Sequence, residues 1–135
     1  MDVEQRRQWI RDDRREREAG GDRTYGLWLG GRIAGGCGLH RRIGPGGLEI
    51  GYWIHVDFVR RGLATEAVRR LVAIAFEDPA IDRVEIHHDA ANPASGRVAR
   101  AAGFTHVDVG RDDPKTPAES GVEHVWRLTR ADRSH

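Results

Sequence analysis

The spacing of apolar positions switches between a period of two and a period near four along this chain, and the switches outline its elements. From Thr24, "TYGLWLGGRIAGGCGLHRR" holds two short apolar runs around Gly30 and Gly31, the composition of a tight hairpin turn. A second turn signal, "IGPGG", leads into "LEIGYWIHV", where Leu48, Ile50, Tyr52 and Ile54 share one strand face and Glu49, Gly51, Trp53 and His55 the other. This predicts a three-stranded antiparallel meander. In "GLATEAVRRLVAIAFED", Leu63, Ala67, Leu71 and Ala75 recur every four residues while Arg69, Arg70 and Glu77 can face water, which predicts an amphipathic helix on the sheet. "DRVEIHHDA" reads as a strand, so strand, helix and strand form a parallel crossover. "NPASGRVARAAGF" adds a second helix with Asn92 as N-cap, Pro93 at the first position and Gly103 as the stop. "FTHVDVG" and "VEHVWRLTR" form a last strand pair, joined by a polar loop with Asp112, Asp113, Pro114 and Pro117. The opening "MDVEQRRQWIRDDRREREAGG" intermixes six acids and six arginines at helical spacings, predicting a solvated helix that ends at Gly20 and Gly21. The fold class is α+β with a mixed sheet.

Composition narrows the function. At 135 residues the chain is one domain. Its 22 basic and 21 acidic residues leave a formal charge of +1, so no long-range field attracts nucleic acid or an anionic membrane. The acids of the opening stretch likewise cancel its arginines as a nucleic-acid arm. The single cysteine, Cys37, has no internal disulfide partner, and neither a signal-peptide pattern nor a long apolar run occurs. A soluble cytoplasmic protein is expected. The seven histidines show no paired ligand spacing, and adjacent His87 and His88 point to opposite strand faces, so no metal is expected. Cys37 reads as a small buried side chain, and Trp9, Trp28, Trp53 and Trp126 as core or pocket walls.

One junction carries chemistry. In "VRRGLATEA", Gly62 lies where a strand has ended and the helix from Leu63 begins, so the first helical N–H groups lack partners and point outward. A helix N-terminus, a glycine that permits close approach and the charges of Arg60 and Arg61 suit a phosphate or pyrophosphate; the plainer reading is a tight turn with two solvated arginines. A P-loop is excluded because no lysine precedes a serine or threonine there, and a dinucleotide fingerprint because only Gly62 is available.

Together, "EIGYWIHVDFVRRGLATEAVRRL" and "VEIHHDAANPASGRVARAAGF", in this order of elements, resemble the Gcn5-related N-acetyltransferases, the GNAT family, and within it the RimJ/RimL-type branch, over residues 24 to 130. The family loop runs Gln or Arg, two residues, Gly, one residue, then Gly or Ala; Val59 departs from it while Gly62 and Ala64 fit. The resemblance implies a mixed sheet with an antiparallel meander, a central parallel β-α-β crossover with splayed strands, and helices on both faces. It implies that Arg60 and the amides of Arg61, Gly62, Leu63, Ala64 and Thr65 hold the pyrophosphate of acetyl-CoA. Trp53, Ile54 and His55 would border the pantetheine arm, Asn92 would contact it, and Ser95 would lie near the cofactor sulfur. Capping and first-turn solvation are the plainer roles for Asn92 and Ser95.

The implied reaction is direct acetyl transfer to a primary amine, a protein N-terminus or a small molecule, without an acyl-enzyme. Only a neutral amine attacks, and an α-amine of pKa about 8 makes a lighter demand than a lysine at about 10.4. Glu49 matches the acid of the family strand and is the expected base; Glu85 is the second candidate, against a reading as an outward-facing strand residue paired to an arginine. Ser95 is the expected acid toward the thiolate, and Tyr52 is expected in the core. Family members usually carry a strand and helix ahead of the segment matching "VEQRRQWIRDD", so residues 1–135 are expected to form one domain lacking those elements. Open sheet edges there would favour a homodimer. The competing reading is a non-catalytic acyl-CoA-binding or interaction module that has lost its acceptor site; a generic phosphate-binding domain leaves the "NPAS" helix start unexplained.

Overall fold

The computed structural model describes residues 10–13, 23–55, 62–111 and 117–133, the first segment by its backbone alone. In chain order come β1 (Ile10–Asp13), β2 (Arg23–Leu29), β3 (Arg32–His40), β4 (Gly47–Ile54), α1 (Leu63–Ala75), β5 (Arg83–Asp89), α2 (Pro93–Ala101), β6 (Thr105–Arg111), β7 (Val122–Thr129) and a short α3 (Arg130–Arg133). The seven strands form one mixed sheet in the order β1-β2-β3-β4-β5-β7-β6.

The meander follows the sequence signals. Gly30 and Gly31 both take positive φ, 58° and 78°, the conformation a two-residue hairpin turn requires, and join β2 to β3. β4 then pairs antiparallel with β3 from His40↔Glu49 to Gly35↔Ile54. The expected opening helix is corrected over Ile10–Asp13, which is a strand paired antiparallel with β2 from Ile10↔Leu27 to Asp13↔Thr24. A helical ion pair is worth only a few tenths of a kcal/mol, and a ladder on the free edge of β2 outweighs it. The rest of that stretch, with Trp9, Gly20 and Gly21, lies outside the described residues, as do Asp112, Asp113 and Pro114.

α1 buries Leu63, Ala67, Val68, Leu71, Val72 and Ala75, the stripe its period announces, against β3 and β4. α2 packs on β5 and against α1, so these two helices share one face of the sheet. Between them and the sheet lies the core, in which Leu27, Leu39, Leu71, Ile86, Val68 and Val84 are fully buried. Burying one such leucine contributes roughly 1.5–3 kcal/mol.

The parallel ladder between β4 and β5 has three rungs, Gly47↔Arg83, Leu48↔Val84 and Glu49↔Glu85. Beyond them β4 stays with β3 while β5 continues on β7 to Asp89↔Glu123. The two strands therefore splay from Glu49 onward, and the side of β4 that faces β5 has no β5 partner over Ile50–Ile54.

Candidate functional site

Two helix starts face this opening. At the first, Gly62 is the N-cap of α1 with φ 74° and ψ 8°, left-handed, and among the described residues no side chain caps the helix. Among the described residues a Cβ on Gly62 would meet nothing within 4 Å, and its left-handed backbone is what calls for glycine. The first intrahelical bond runs from the Glu66 N–H to the Gly62 carbonyl at 3.1 Å, so the N–H groups of Leu63, Ala64 and Thr65 have no intrahelical acceptor. At the second, Asn92 is the N-cap of α2 and Pro93 opens the helix, yet the Asn92 side chain makes no capping bond. Its Nδ2 instead donates to Ser95 Oγ at 3.2 Å, and the Tyr52 hydroxyl donates to the same oxygen at 3.1 Å.

A cavity of about 810 Å³ runs between the two helix starts along the unpaired side of β4. Eight of the expected binding residues line it: Trp53, Ile54, Gly62, Leu63, Ala64, Thr65, Asn92 and Ser95. His55 does not; its N–H donates to the Ala34 carbonyl at 2.6 Å and closes the end of the β3–β4 pairing. Arg60 and Arg61 lie outside the described residues. Ala94, Arg97, Val98 and Ala101 add one stripe of α2, at spacings of three, one and three, and Arg97 brings a full positive charge to the lining. That stripe was legible in "NPASGRVARA" as a helical period; the expectation stopped at Ser95. Tyr52 is half in the core as its alternation with Ile50 and Ile54 predicts, but its hydroxyl emerges into the cavity. Burial raises the Tyr52 pKa above the usual tyrosine value, against a smaller lowering by the Ser95 bond, so the phenol stays neutral.

Glu49 stands on the other face of the sheet, at the last parallel rung, and is 8% exposed. Arg42 Nε binds its Oε2, and His87 Nδ1 lies 3.3 Å from its Oε1. A shallower groove of about 430 Å³ opens on that face, floored by Gly26, Gly36, Gly38 and Gly51, and it shares Tyr52 and Trp53 with the larger cavity. Glu85 is arginine-paired, Arg127 Nε and Nη2 each lying 2.7 Å from its Oε2, but it is buried at 5% exposure and not the outward-facing residue of the plainer reading. Burial raises the Glu85 pKa, but hydrogen bonds from His87 and Arg127 and their charges bring it below the usual carboxylate value.

His87 and His88 do point to opposite faces. The first meets Glu49 and Glu85; the second accepts from Trp126 Nε1 at 3.0 Å and meets the Asp89 carbonyl through Nδ1 at 3.0 Å. Among the described residues no three His, Cys, Asp or Glu side chains gather as a metal site, and no helix is long and apolar enough to cross a membrane. Cys37 is buried, which pushes its thiol up to about 12.

Residues 1–105 match the family described as the Acetyltransferase (GNAT) domain. YdaF of Bacillus subtilis (strain 168), described as a candidate ribosomal N-acetyltransferase, is 39% identical over 64 residues, 47% of this chain and 35% of that protein. Among solved structures, the microcin C7 self-immunity acetyltransferase MccE, in complex with acetyl-CoA and AMP, superposes with a TM-score of 0.75 at 20% identity, over 84% of this chain and 64% of its own. RimL, the ribosomal L7/L12 α-N-protein acetyltransferase, in complex with coenzyme A, gives a TM-score of 0.71 at 21% identity, over 80% of this chain and 62% of its own. The chain thus spans about a third of the curated relative and just under two thirds of these two solved proteins.

Proposed function

The chain belongs to the GNAT acetyltransferase domain family, and from that premise we propose that it transfers an acetyl group from acetyl-CoA directly to a primary amine. The observation that carries the proposal is the single cavity joining the left-handed start of α1, the unpaired side of β4 and the Asn92–Ser95 start of α2. A pyrophosphate needs several N–H donors and positive charge in one place; the N–H groups of Leu63, Ala64 and Thr65, the α1 dipole and Arg97 supply them, and Arg60 and Arg61 are assigned there by resemblance. An amide-rich pantetheine arm needs unpaired backbone, which β4 offers from Ile50 to Ile54.

At the reacting end, the proposed roles divide between the two faces of the splayed sheet. Ser95 Oγ already accepts from Tyr52 and Asn92, so its own proton is left to donate to the departing thiolate. Glu49, at the splay point on the other face, takes the proton of the attacking amine, through a bridging water. The acceptor enters by the glycine-floored groove and reaches the cavity past Trp53, which borders both. A protein N-terminus is the favoured acceptor class: its amine is already partly neutral near pH 7, and RimL is named an α-N-protein acetyltransferase.

The test is calorimetric titration of the whole chain with acetyl-CoA and, as a control, adenosine diphosphate, followed by transfer assays on N-terminal peptides and on small amines. Selective binding with transfer supports the proposal. Binding without transfer to any amine points instead to an acyl-CoA-binding module. For Glu49→Gln, the expected result is a 10²-fold or greater loss of transfer at neutral pH with acetyl-CoA affinity nearly unchanged; equal losses in both would remove Glu49 as the base.

A further inference from the structure

The face opposite α1 and α2 holds a chain of charged groups of which the proposed reaction uses only Glu49. Glu49 and Glu85 stand opposite each other across the last parallel rung, at 8% and 5% exposure. Two buried carboxylates so placed repel each other unless positive charge or a proton lies between them. His87, two residues beyond Glu85 and so on the same face of β5, occupies that place. Its Nε2 lies 2.8 Å from Glu85 Oε1, and its Nδ1 lies 3.3 Å from Glu49 Oε1 and 3.5 Å from Glu123 Oε1 of β7. The outer oxygens are held by arginines, Arg127 on Glu85 Oε2 and Arg42 on Glu49 Oε2, with Arg83 Nε 3.9 Å from Glu85 Oε2.

The two ends of this chain are unequal. Glu85 is fixed as an anion by Arg127 at two nitrogens, so it accepts a hydrogen from His87 Nε2 and sets the tautomer of the ring. Nδ1 is then the nitrogen that faces Glu49 and Glu123. A lone pair there opposes two carboxylate oxygens, whereas a proton there bridges them. Within this cluster, Nδ1 is the nitrogen placed to take a proton that Glu49 has gained.

We infer that His87 is a proton relay acting through Glu49: a proton taken up on Glu49 Oε1 passes to His87 Nδ1 and leaves from the ring to solvent. The inference rests on Glu49 being the base of the proposed transfer. The steps balance without electron transfer: the acceptor ammonium loses one proton, Glu49 gains it and hands it to Nδ1, Glu49 is again a carboxylate, and the imidazolium returns to neutral by protonating water. Glu85 stabilises the imidazolium, and the His87 side chain, 20% exposed against 11% for Glu49, has the easier route to water. His87 is therefore a positioning residue, since its effect on the amine runs through Glu49.

The experiment is nitrogen-detected NMR of the His87 ring in the whole chain, wild type against Glu49→Gln and Glu85→Gln. Passage of a proton between Glu49 and Nδ1 broadens the Nδ1 signal by exchange, so Glu49→Gln, which cannot take the proton, should remove that broadening, and Glu85→Gln, which no longer fixes the hydrogen on Nε2, should mix the two tautomers. Nδ1 exchange unchanged in Glu49→Gln would overturn the relay. This readout needs no acetyl transfer, so it decides the inference even if the chain acetylates nothing. With an active acceptor, His87→Gln, which keeps a donor but cannot carry a proton onward, should lower kcat about 10-fold or more, leave acetyl-CoA affinity unchanged, and remove one limb of the kcat–pH profile. The same limb persisting in that variant, or an equal loss at every pH, would also overturn it.

Discussion

Tyr52 and Ser95 meet at 3.1 Å, hydroxyl to hydroxyl, bringing a strand of the core and the first turn of α2 to one point in the large cavity. Asn92 Nδ2 reaches the same serine oxygen at 3.2 Å, so Ser95 Oγ has both lone pairs engaged and one proton to give. Ser95→Ala should lower kcat by about 10²-fold, the usual loss when one donor to a developing negative charge is removed, with acetyl-CoA affinity changed only a few-fold. Tyr52→Phe should cost about 10-fold, the equivalent of one hydrogen bond. Because burial raises the Tyr52 pKa above the usual tyrosine value, no kinetic limb below about pH 10 should trace to it. Steady-state kinetics paired with calorimetry separate the two effects, and a Tyr52→Phe loss larger than that of Ser95→Ala would make the phenol the acid.

Gly62 adopts φ 74° at the mouth of α1, and among the described residues nothing lies within 4 Å of where its Cβ would sit, so substitution tests its conformation. Gly62→Ala should cost about 1–2 kcal/mol if the left-handed turn is retained. Gly62→Val, whose branched side chain tolerates that region least, should relax the turn, misdirect the Leu63–Thr65 amides and weaken acetyl-CoA binding at least 10-fold. Thermal melts and calorimetric titration read the two effects independently. An unchanged affinity in Gly62→Val would remove the pyrophosphate from this helix start.

These positions show how far the residue pattern reaches. The hairpin glycines, the α1 stripe, the crossover and the two helix starts follow from local rules, because φ > 0, a period near four and an N-cap are properties of a few neighbouring residues. Ile10–Asp13 went against its local pattern because its pairing with β2 is settled by residues more than ten positions away. Tyr52 was half legible: alternation places the ring in the core, but that its hydroxyl meets a serine 43 positions later depends on where α2 docks. The link from Glu49 to His87 was illegible for the same reason, since the parallel register alone brings them together. In the sequence the pair His87–His88 speaks only against a metal, because adjacent strand residues point to opposite faces.

Cys37 provides a direct test of burial. Its side chain is sealed in the core, and loss of solvation pushes the thiol up to about 12. The thiolate is the reactive form, so at pH 8 the native protein should react with a disulfide reagent at least 10²-fold more slowly than the unfolded chain, whose cysteine titrates near 8.5. Fast labelling of the native state would place Cys37 at a mobile surface and contradict the packing of β3 against β2 and β4. A Cys37→Ser variant should retain transfer activity, since the proposed reaction gives the thiol no proton or group to move.

Asp89 ties the β5–α2 turn to the loop before β7, and that tie is pH-dependent. Its Oδ1 accepts from the Ser120 N–H and hydroxyl, both at 2.9 Å, and from the Ala91 N–H at 2.7 Å; Oδ2 accepts from the Gly121 N–H at 3.1 Å. These bonds, led by the Ser120 amide and then the Ala91 amide, hold the carboxyl at about 2, below its usual 3.8. A depressed folded-state pKa means that the stabilisation is fully present above the unfolded value and is lost as pH falls through the folded one. Stability should therefore be level above about pH 5 and decline between about 4 and 2, and Asp89→Asn should lower the Tm at pH 6 but much less at pH 2. The Asn92 N–H is bonded to the Asp89 carbonyl at 2.9 Å, so the same variant should loosen the start of α2 and reduce acetyl-CoA affinity at pH 7 several-fold. Melting curves across that range decide the matter: a Tm difference between wild type and Asp89→Asn that stays constant from pH 6 to pH 2 would mean the carboxylate's charge contributes nothing to the tie.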